Sequence, residues 1–304
     1  MGFFQPMRNS PIRRIPIALT LLAIVSGCNK LGLGSGATPT APTEPPAPGS
    51  TIVYAALGAS DANGVGSSLP CAPFDQRCAG LGYVYVTARR LQSHGFTVDL
   101  NNLGIATAVI GRDFQVLGQQ YNHTVVANFL EQEMPFIPAT TTVVTIFAGI
   151  NEINAITAAL GGGAGGTDPN GYVDNQVRSF GADYSLLLTG IRSKASATRI
   201  VILNVPNAAG LPYLAGASVA QRQAAQRAAV GMTRTAVDPL ASSNVTVVDL
   251  MCDARSYLAS NYSSDGLHPN DAGYAFIAAE IERAITSSGY PTPQSNCAQM
   301  TLVP

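Results

Sequence analysis

Thr51-Ile52-Val53-Tyr54-Ala55-Ala56-Leu57 runs directly into Gly58-Ala59-Ser60-Asp61. The first stretch is almost continuously apolar and rich in β-formers, the pattern of a strand covered on both faces. Gly58 ends it, so a serine and an acid stand where a strand turns into a loop. A helix is expected next, over 82–94, and the alternation then repeats. Strands are expected at 97–101, 142–148, 199–205 and 245–250, with helices at 121–133, just before Gly161, and at 172–195, 219–237 and 271–286. Strands that alternate with helices imply βαβ units and a mostly parallel sheet. The expected fold is therefore α/β, a three-layer α/β/α sandwich.

The N-terminus calls for a different reading. Arg8, Arg13 and Arg14 precede an apolar run from Ile15 to Val25, the layout of an export signal, and the run is short for a bilayer span. It closes on Val25-Ser26-Gly27-Cys28, which resembles a bacterial lipobox, so residues 1–27 are expected as a signal peptide and Cys28 as the lipidated first residue. Pro39, Pro42, Pro45, Pro46 and Pro48 crowd the next stretch. Residues 28–50 are thus expected to be an extended tether between anchor and domain, with residues 51–304 forming the domain. The expected location is the cell envelope, periplasmic or cell-surface, with membrane contact through the lipid on Cys28.

Composition narrows the partners. The 304-residue chain carries 17 basic and 18 acidic residues and is 46% hydrophobic. That is enough apolar material for a sizeable core, and a near-zero net charge implies neither nucleic acid nor an anionic membrane surface as partner. Export makes disulfides expected among Cys71, Cys78, Cys252 and Cys297. Pairing Cys71 with Cys78 closes a short loop and pairing Cys252 with Cys297 pins the C-terminal tail, although four cysteines admit three connectivities. No CxxC pair or His-rich segment accompanies them, so no metal and no cofactor are expected. Gly161–Gly166 formally satisfies GxGxxG but follows a helix and lacks a Lys-Ser/Thr, so it reads as a surface loop near a site mouth rather than a nucleotide cradle.

In a doubly wound sheet, ligands collect at the carboxyl ends of the strands. Four clusters fall there. Ser60 can project a hydroxyl and a backbone N–H into the crevice; a turn serine or helix cap is the plainer reading. Asn102-Leu103-Gly104-Ile105-Ala106-Thr107 follows the second strand and also reads as an ordinary Asn-Gly turn. Gly149-Ile150-Asn151-Glu152 follows the most apolar strand, where Asn151 either donates to an oxyanion or caps a helix. Asp265-Gly266-Leu267-His268 precedes the last helix. There a carboxylate three residues before an imidazole can orient it and leave the other ring nitrogen to accept a serine proton; an Asp-Gly turn with a solvent-facing histidine is the alternative. Of the three histidines, His94 and His123 follow no expected strand.

Taken together and in this order, the four clusters resemble the SGNH hydrolases, or GDSL lipases and esterases, over most of the chain beyond the tether. The resemblance implies a flavodoxin-like sheet, Ser60 as nucleophile with Asp265 and His268 as its relay, and an oxyanion hole from Ser60, Asn151 and the second cluster. Three departures stand out. The family's GDS is Gly58-Ala59-Ser60, and the third block ends in Glu152 where Asp is usual. The family's oxyanion glycine falls on Thr107, while Gly104 occupies an earlier glycine position, so Thr107 ranks above Gly104 as donor.

The implied function is hydrolysis of a carboxylic ester through an acyl-enzyme. Substrates are small-molecule, lipid or polysaccharide esters, and a monomer is expected. α/β-Hydrolases share the order Ser, Asp, His, but their GxSxG elbow is absent here and they place Asp far from His. A carbohydrate O-deacetylase of the same fold, and a glycan-binding envelope lipoprotein without turnover, are the alternatives. The insert 63–80 and the loop 161–171 are expected to shape the substrate pocket.

Overall fold

The computed structural model describes residues 44–304. The expected signal peptide, the expected lipidation site Cys28 and most of the expected tether lie outside the described residues. Five strands, β1 (Thr51–Leu57), β2 (Thr97–Asn102), β3 (Val143–Phe147), β4 (Arg199–Leu203) and β5 (Val245–Val248), form one sheet in the order β2-β1-β3-β4-β5. Every pairing is parallel.

The continuous apolar character of β1 has a direct cause. Its side chains alternate between two cores. Ala55 and Leu57 face one in which Ile153, Ile156, Phe180, Tyr184 and Met232 are buried. Ile52, Tyr54 and Ala56 face the other, with Val84, Leu91, Tyr274 and Ile281. The first core is covered by α3 (Arg112–Gln120), α4 (Ile150–Gly161), α5 (Pro169–Lys194) and α6 (Val219–Met232). The second is covered by α2 (Tyr83–Ser93) and α7 (Asp271–Thr286); a single short turn, α1 (Ser60–Asn63), follows β1. Three layers result because a parallel sheet must have both faces covered.

Two expected helices differ. A helix over 121–133 is replaced by α3 ending at Gln120, a loop containing His123, and a π-helical turn at Phe129–Glu133. Val125 and Ala127, inside that stretch, are buried from the loop, and Val109 N–H and Phe129 N–H pair with Ala127 O and Val109 O across it. Tertiary contacts override local propensity here. The helix expected over 219–237 likewise ends at Met232 and continues as a π turn, Thr233–Val237.

Both disulfides form between the pairs that close the shortest loop and pin the tail: Cys71–Cys78 and Cys252–Cys297, separated by 7 and 45 residues. The longer one fastens the tail beside β5, where Gln294 N–H also donates to Asp249 Oδ2 at 2.9 Å. On the chain-entropy model a 45-residue loop removes about 4 kcal/mol of denatured-state freedom. Cys252→Ser should therefore lower unfolding free energy by about 2–4 kcal/mol in urea titration, and an unchanged midpoint would show that the tail contributes no constraint.

Candidate active site

The crevice lies where the strand order reverses. β1 leads outward to β2 on one side while β3 begins the run to β5 on the other, which makes the carboxyl ends of β1 and β3 the topological switch point. Ser60 follows β1 directly and Asn151 lies in the first turn of α4 just after β3.

Ser60 is the first residue of α1, and the cap position is Ala59, so the hydroxyl is not spent on capping. It instead meets His268: Ser60 Oγ and His268 Nε2 are 2.9 Å apart. On the other side of the ring, His268 Nδ1 lies 2.6 Å from Asp265 Oδ2. The turn carrying the acid is closely specified. Asp265 Oδ1 accepts Ser263 Oγ–H, Leu267 N–H and His268 N–H at 2.8, 2.8 and 2.9 Å. Gly266 has φ +71°, and a Cβ there would lie 2.7 Å from Tyr213 N. Burial pushes the Asp265 carboxyl up, but the hydrogen bonds from the His268 ring and amide, Leu267 and Ser263 outweigh it and hold the group well below the usual carboxylate range. An ionised Asp265 therefore faces His268 throughout the neutral range.

Asn151 is not a cap either, because its Nδ2 donates to Ala108 O at 2.9 Å. Ser60, Asn151 and His268 line one cavity together with Asp61, Phe147, Leu250 and Phe276. Asp61, unused in the sequence reading, is a buried carboxyl beside the serine. Burial raises its pKa, and it lies 3.3 Å from Tyr274 Oη.

The second cluster is held differently from the other three. Gly104 N–H donates to Asn102 Oδ1 at 3.2 Å, so that N–H is already taken. Its absent side chain has a packing cause: a Cβ would lie 2.5 Å from Ala62 Cβ. Thr107 has φ +66°, a left-handed conformation that glycine adopts without cost and β-branched residues rarely adopt. That explains why a glycine is the usual occupant of the matching family position. Thr107 Oγ1 accepts Val126 N–H at 3.3 Å, and neither Thr107 nor Gly104 is on the wall of the cavity that Ser60 and His268 share.

The structure adds two buried, bridging acids: Glu133, which the sequence did not mark, and Glu152, which it marked only as the end of the third block. Glu133, fully buried, accepts Gly58 N–H at Oε2 (3.0 Å) and Ile105 N–H at Oε1 (3.2 Å). Glu152, 1% exposed, accepts Gly149 N–H at Oε2 (2.8 Å) and Ile110 N–H at Oε1 (2.5 Å). Nothing in the local pattern around Glu133 marks it, since it closes a π turn far in sequence from either partner. The loop expectations divide as well. Residues 161–170 line a wide cleft that meets the cavity at Leu267. The insert 63–80 packs behind His268 instead: a Cβ on Gly66 would lie 2.7 Å from His268 Cβ, and Ser68 N–H donates to Asp271 Oδ1 at 2.7 Å.

A strand-end serine, a histidine and an aspartate in hydrogen-bonded series at the switch point of an α/β/α sandwich define a serine hydrolase site. The model of the GDSL-like lipase/acylhydrolase family matches residues 56–276, and the chain belongs to that family and is an ester-hydrolysing enzyme. Among curated proteins, none matches the chain. Among solved structures, the chain is similar to the lipase Lip_vut3 from a goat rumen metagenome, with 20% identity, 77% of this chain and 97% of that one covered, and a TM-score of 0.51. An extracellular lipase from Streptomyces rimosus aligns at 18% identity over 77% and 99%, TM-score 0.51. Phospholipase A1 from Streptomyces albidoflavus aligns at 17% identity over 78% and 100%, TM-score 0.50. At these identities the likeness is one of fold.

Proposed function

We propose that the enzyme cleaves esters through an acyl-serine intermediate, and that the hydrogen-bonded series Ser60–His268–Asp265 carries the reaction. His268 Nε2 takes the Ser60 proton as Oγ bonds to the ester carbonyl carbon, and the carbonyl oxygen becomes an oxyanion. Ser60 N–H and the second N–H of Asn151 Nδ2 face that charge, and within the 104–107 segment Thr107 is assigned as the third donor, because Gly104 N–H is taken by Asn102 Oδ1 and Ile105 N–H by Glu133 Oε1 and Gly58 O. Collapse breaks the bond to the alcohol, which leaves with the proton from His268; water then attacks the acyl group by the same route.

The cavity at Ser60 and the cleft that meets it at Leu267 suggest the substrate. The cavity walled by Phe147, Leu250 and Phe276 is small, about 40 Å³, room for about three water-sized groups. The adjoining cleft is about 980 Å³ and presents Asn154, Thr157, Asn170, Ser218 and Gln221. This combination supports a short acyl group carried on a large polar alcohol, as in an acylated polysaccharide, over a long-chain lipid. With p-nitrophenyl esters from acetate to palmitate, kcat/KM should peak at two to four acyl carbons and fall steeply beyond, since a well-packed apolar pocket discriminates by about tenfold or more per misfitted methylene. A maximum at eight carbons or longer would reverse the substrate reading. Absence of hydrolysis and of fluorophosphonate labelling together would instead favour a glycan-binding protein without turnover.

We further propose that the domain is an exported lipoprotein anchored through Cys28, on the strength of the charged, apolar and small-residue order of residues 8–28. Among the described residues no helix is long and apolar enough to cross a membrane.

A further inference from the structure

Two buried carboxylates have no part in the proton relay, and their placement is systematic. Each of them bridges two backbone N–H groups that belong to different blocks of the site. Glu133 joins Gly58, at the nucleophile turn, to Ile105, at the start of the second-cluster loop. Glu152 joins Ile110, at the end of that loop, to Gly149, at the turn that carries Asn151. The loop 105–110 is thus held at both ends, once against each of the other two elements that supply oxyanion donors. Asn151 Nδ2 adds a third tie at its middle, on Ala108 O.

Such an arrangement is costly by itself. Neither carboxylate forms an ion pair among the described residues, and burial raises both pKa values, that of Glu152 to about 7. Buried acids without an ion partner are retained where a specific geometry depends on them. The geometry here is demanding, because one carboxylate must accept two N–H groups at once. A carboxamide or an apolar residue can satisfy at most one of the pair. The glutamate at 152 is also longer than the aspartate usual at that position, which gives it the reach to span from Gly149 to Ile110.

We propose that Glu133 and Glu152 are positioning residues, a pair of carboxylate clamps that fix the Ser60, loop 105–110 and Asn151 donors relative to one another so that they converge on a single oxyanion. This rests on the serine assignment above. In E152Q one arm of the clamp presents an N–H to an N–H, and the loop is released at that end; in E133Q the same conflict falls on Gly58 N–H or Ile105 N–H, and the loop end is loosened but keeps the bond from Ile105 N–H to Gly58 O at 3.1 Å. Misplacement of donors by about 1 Å, or loss of one, costs on the order of 10–10³-fold in turnover, so each variant should lose about 10–100-fold in kcat while KM stays within about twofold, because only transition-state binding is affected.

The test measures kcat per active site in the full chain with p-nitrophenyl acetate, counting sites by the final stoichiometry of fluorophosphonate labelling. The expected result is full labelling at a slowed rate and a lowered kcat per labelled site in both variants. A merely structural role would reduce the number of labelled sites and leave kcat per site unchanged; that outcome in both variants overturns the proposal. If E133Q does not fold, E133D and E152Q are read in the same way. If none of them folds, amide exchange in the unmodified protein decides: Gly58, Ile110 and Gly149 amides exchanging like unprotected peptide overturn the clamp, and protection of all three supports it, Ile105 being left out because its N–H also donates to Gly58 O. Ser60→Ala separates the two levels, since labelling of that variant would remove the serine assignment itself and not merely the clamp.

Discussion

Replacement of Ser60 by alanine is expected to lower turnover of p-nitrophenyl acetate by on the order of 10⁴–10⁶-fold, with KM and the unfolding midpoint almost unchanged. The size follows from the role. Without Oγ there is no covalent intermediate, and His268 has only water to activate at a site shaped for an attached nucleophile. Residual rate over uncatalysed hydrolysis comes from the oxyanion donors, which stay in place. Stability should hold because the hydroxyl's role in the structure is one hydrogen bond, to His268, and because the α1 cap does not use it. Stopped-flow hydrolysis on active-site-counted protein checks this, and a variant within tenfold of the parent would mean that another group attacks the ester.

Asp265→Asn should lower kcat by about 10⁴-fold without disturbing the turn, and the reason is specific to this site. The side-chain oxygen Oδ1 receives three donors, from Ser263, Leu267 and His268. An asparagine will keep its carbonyl oxygen there and so present its NH₂ to His268 Nδ1. That nitrogen must then be the acceptor, which places the ring proton on Nε2, opposite Ser60, where no proton can be taken up. Asp265→Ala is a useful contrast: it loses the turn's acceptor as well and should cost stability, whereas Asn should not. The acid's lowered pKa fixes the sign of its pH effect. Its stabilising contribution is complete at and above the ordinary carboxylate range and declines only as pH falls toward the depressed folded-state value. A D265N enzyme that retains more than a tenth of parental kcat at neutral pH would remove Asp265 from the relay.

The legible parts of the sequence were those where physics acts locally. β1 announced itself because both of its faces are buried, and Ser60, Asn151 and Asp265–His268 stood out as candidates because each follows a strand end or opens a helix. Position alone brought them to one edge of the sheet. What stayed hidden was non-local. The apolar residues between Tyr121 and Phe129 mimic a helical stripe, yet Val125 and Ala127 are buried by a loop pairing with Val109, a contact no local window contains. Glu133 looked like an ordinary acid and Glu152 only like a changed block residue, since their partners are backbone amides up to 75 residues away, and a backbone amide leaves no trace in residue identity. Thr107 fell between the two cases. Its place in the second block could be counted out, but its left-handed φ, which makes that place meaningful, belongs to the folded loop.

The Ser60–His268 hydrogen bond spans 208 residues of chain, and all the strands pair in parallel, so the sheet contains no hairpin that can form early from neighbouring residues. Helical signal can return while the strands are still finding one another, because helices need only local contacts and parallel pairing is slow. Catalytic competence is therefore a reporter of the last step in assembly. During renaturation it should lag circular dichroism, and a population that has regained full ellipticity without hydrolysing substrate would be one in which the first and last blocks have yet to meet.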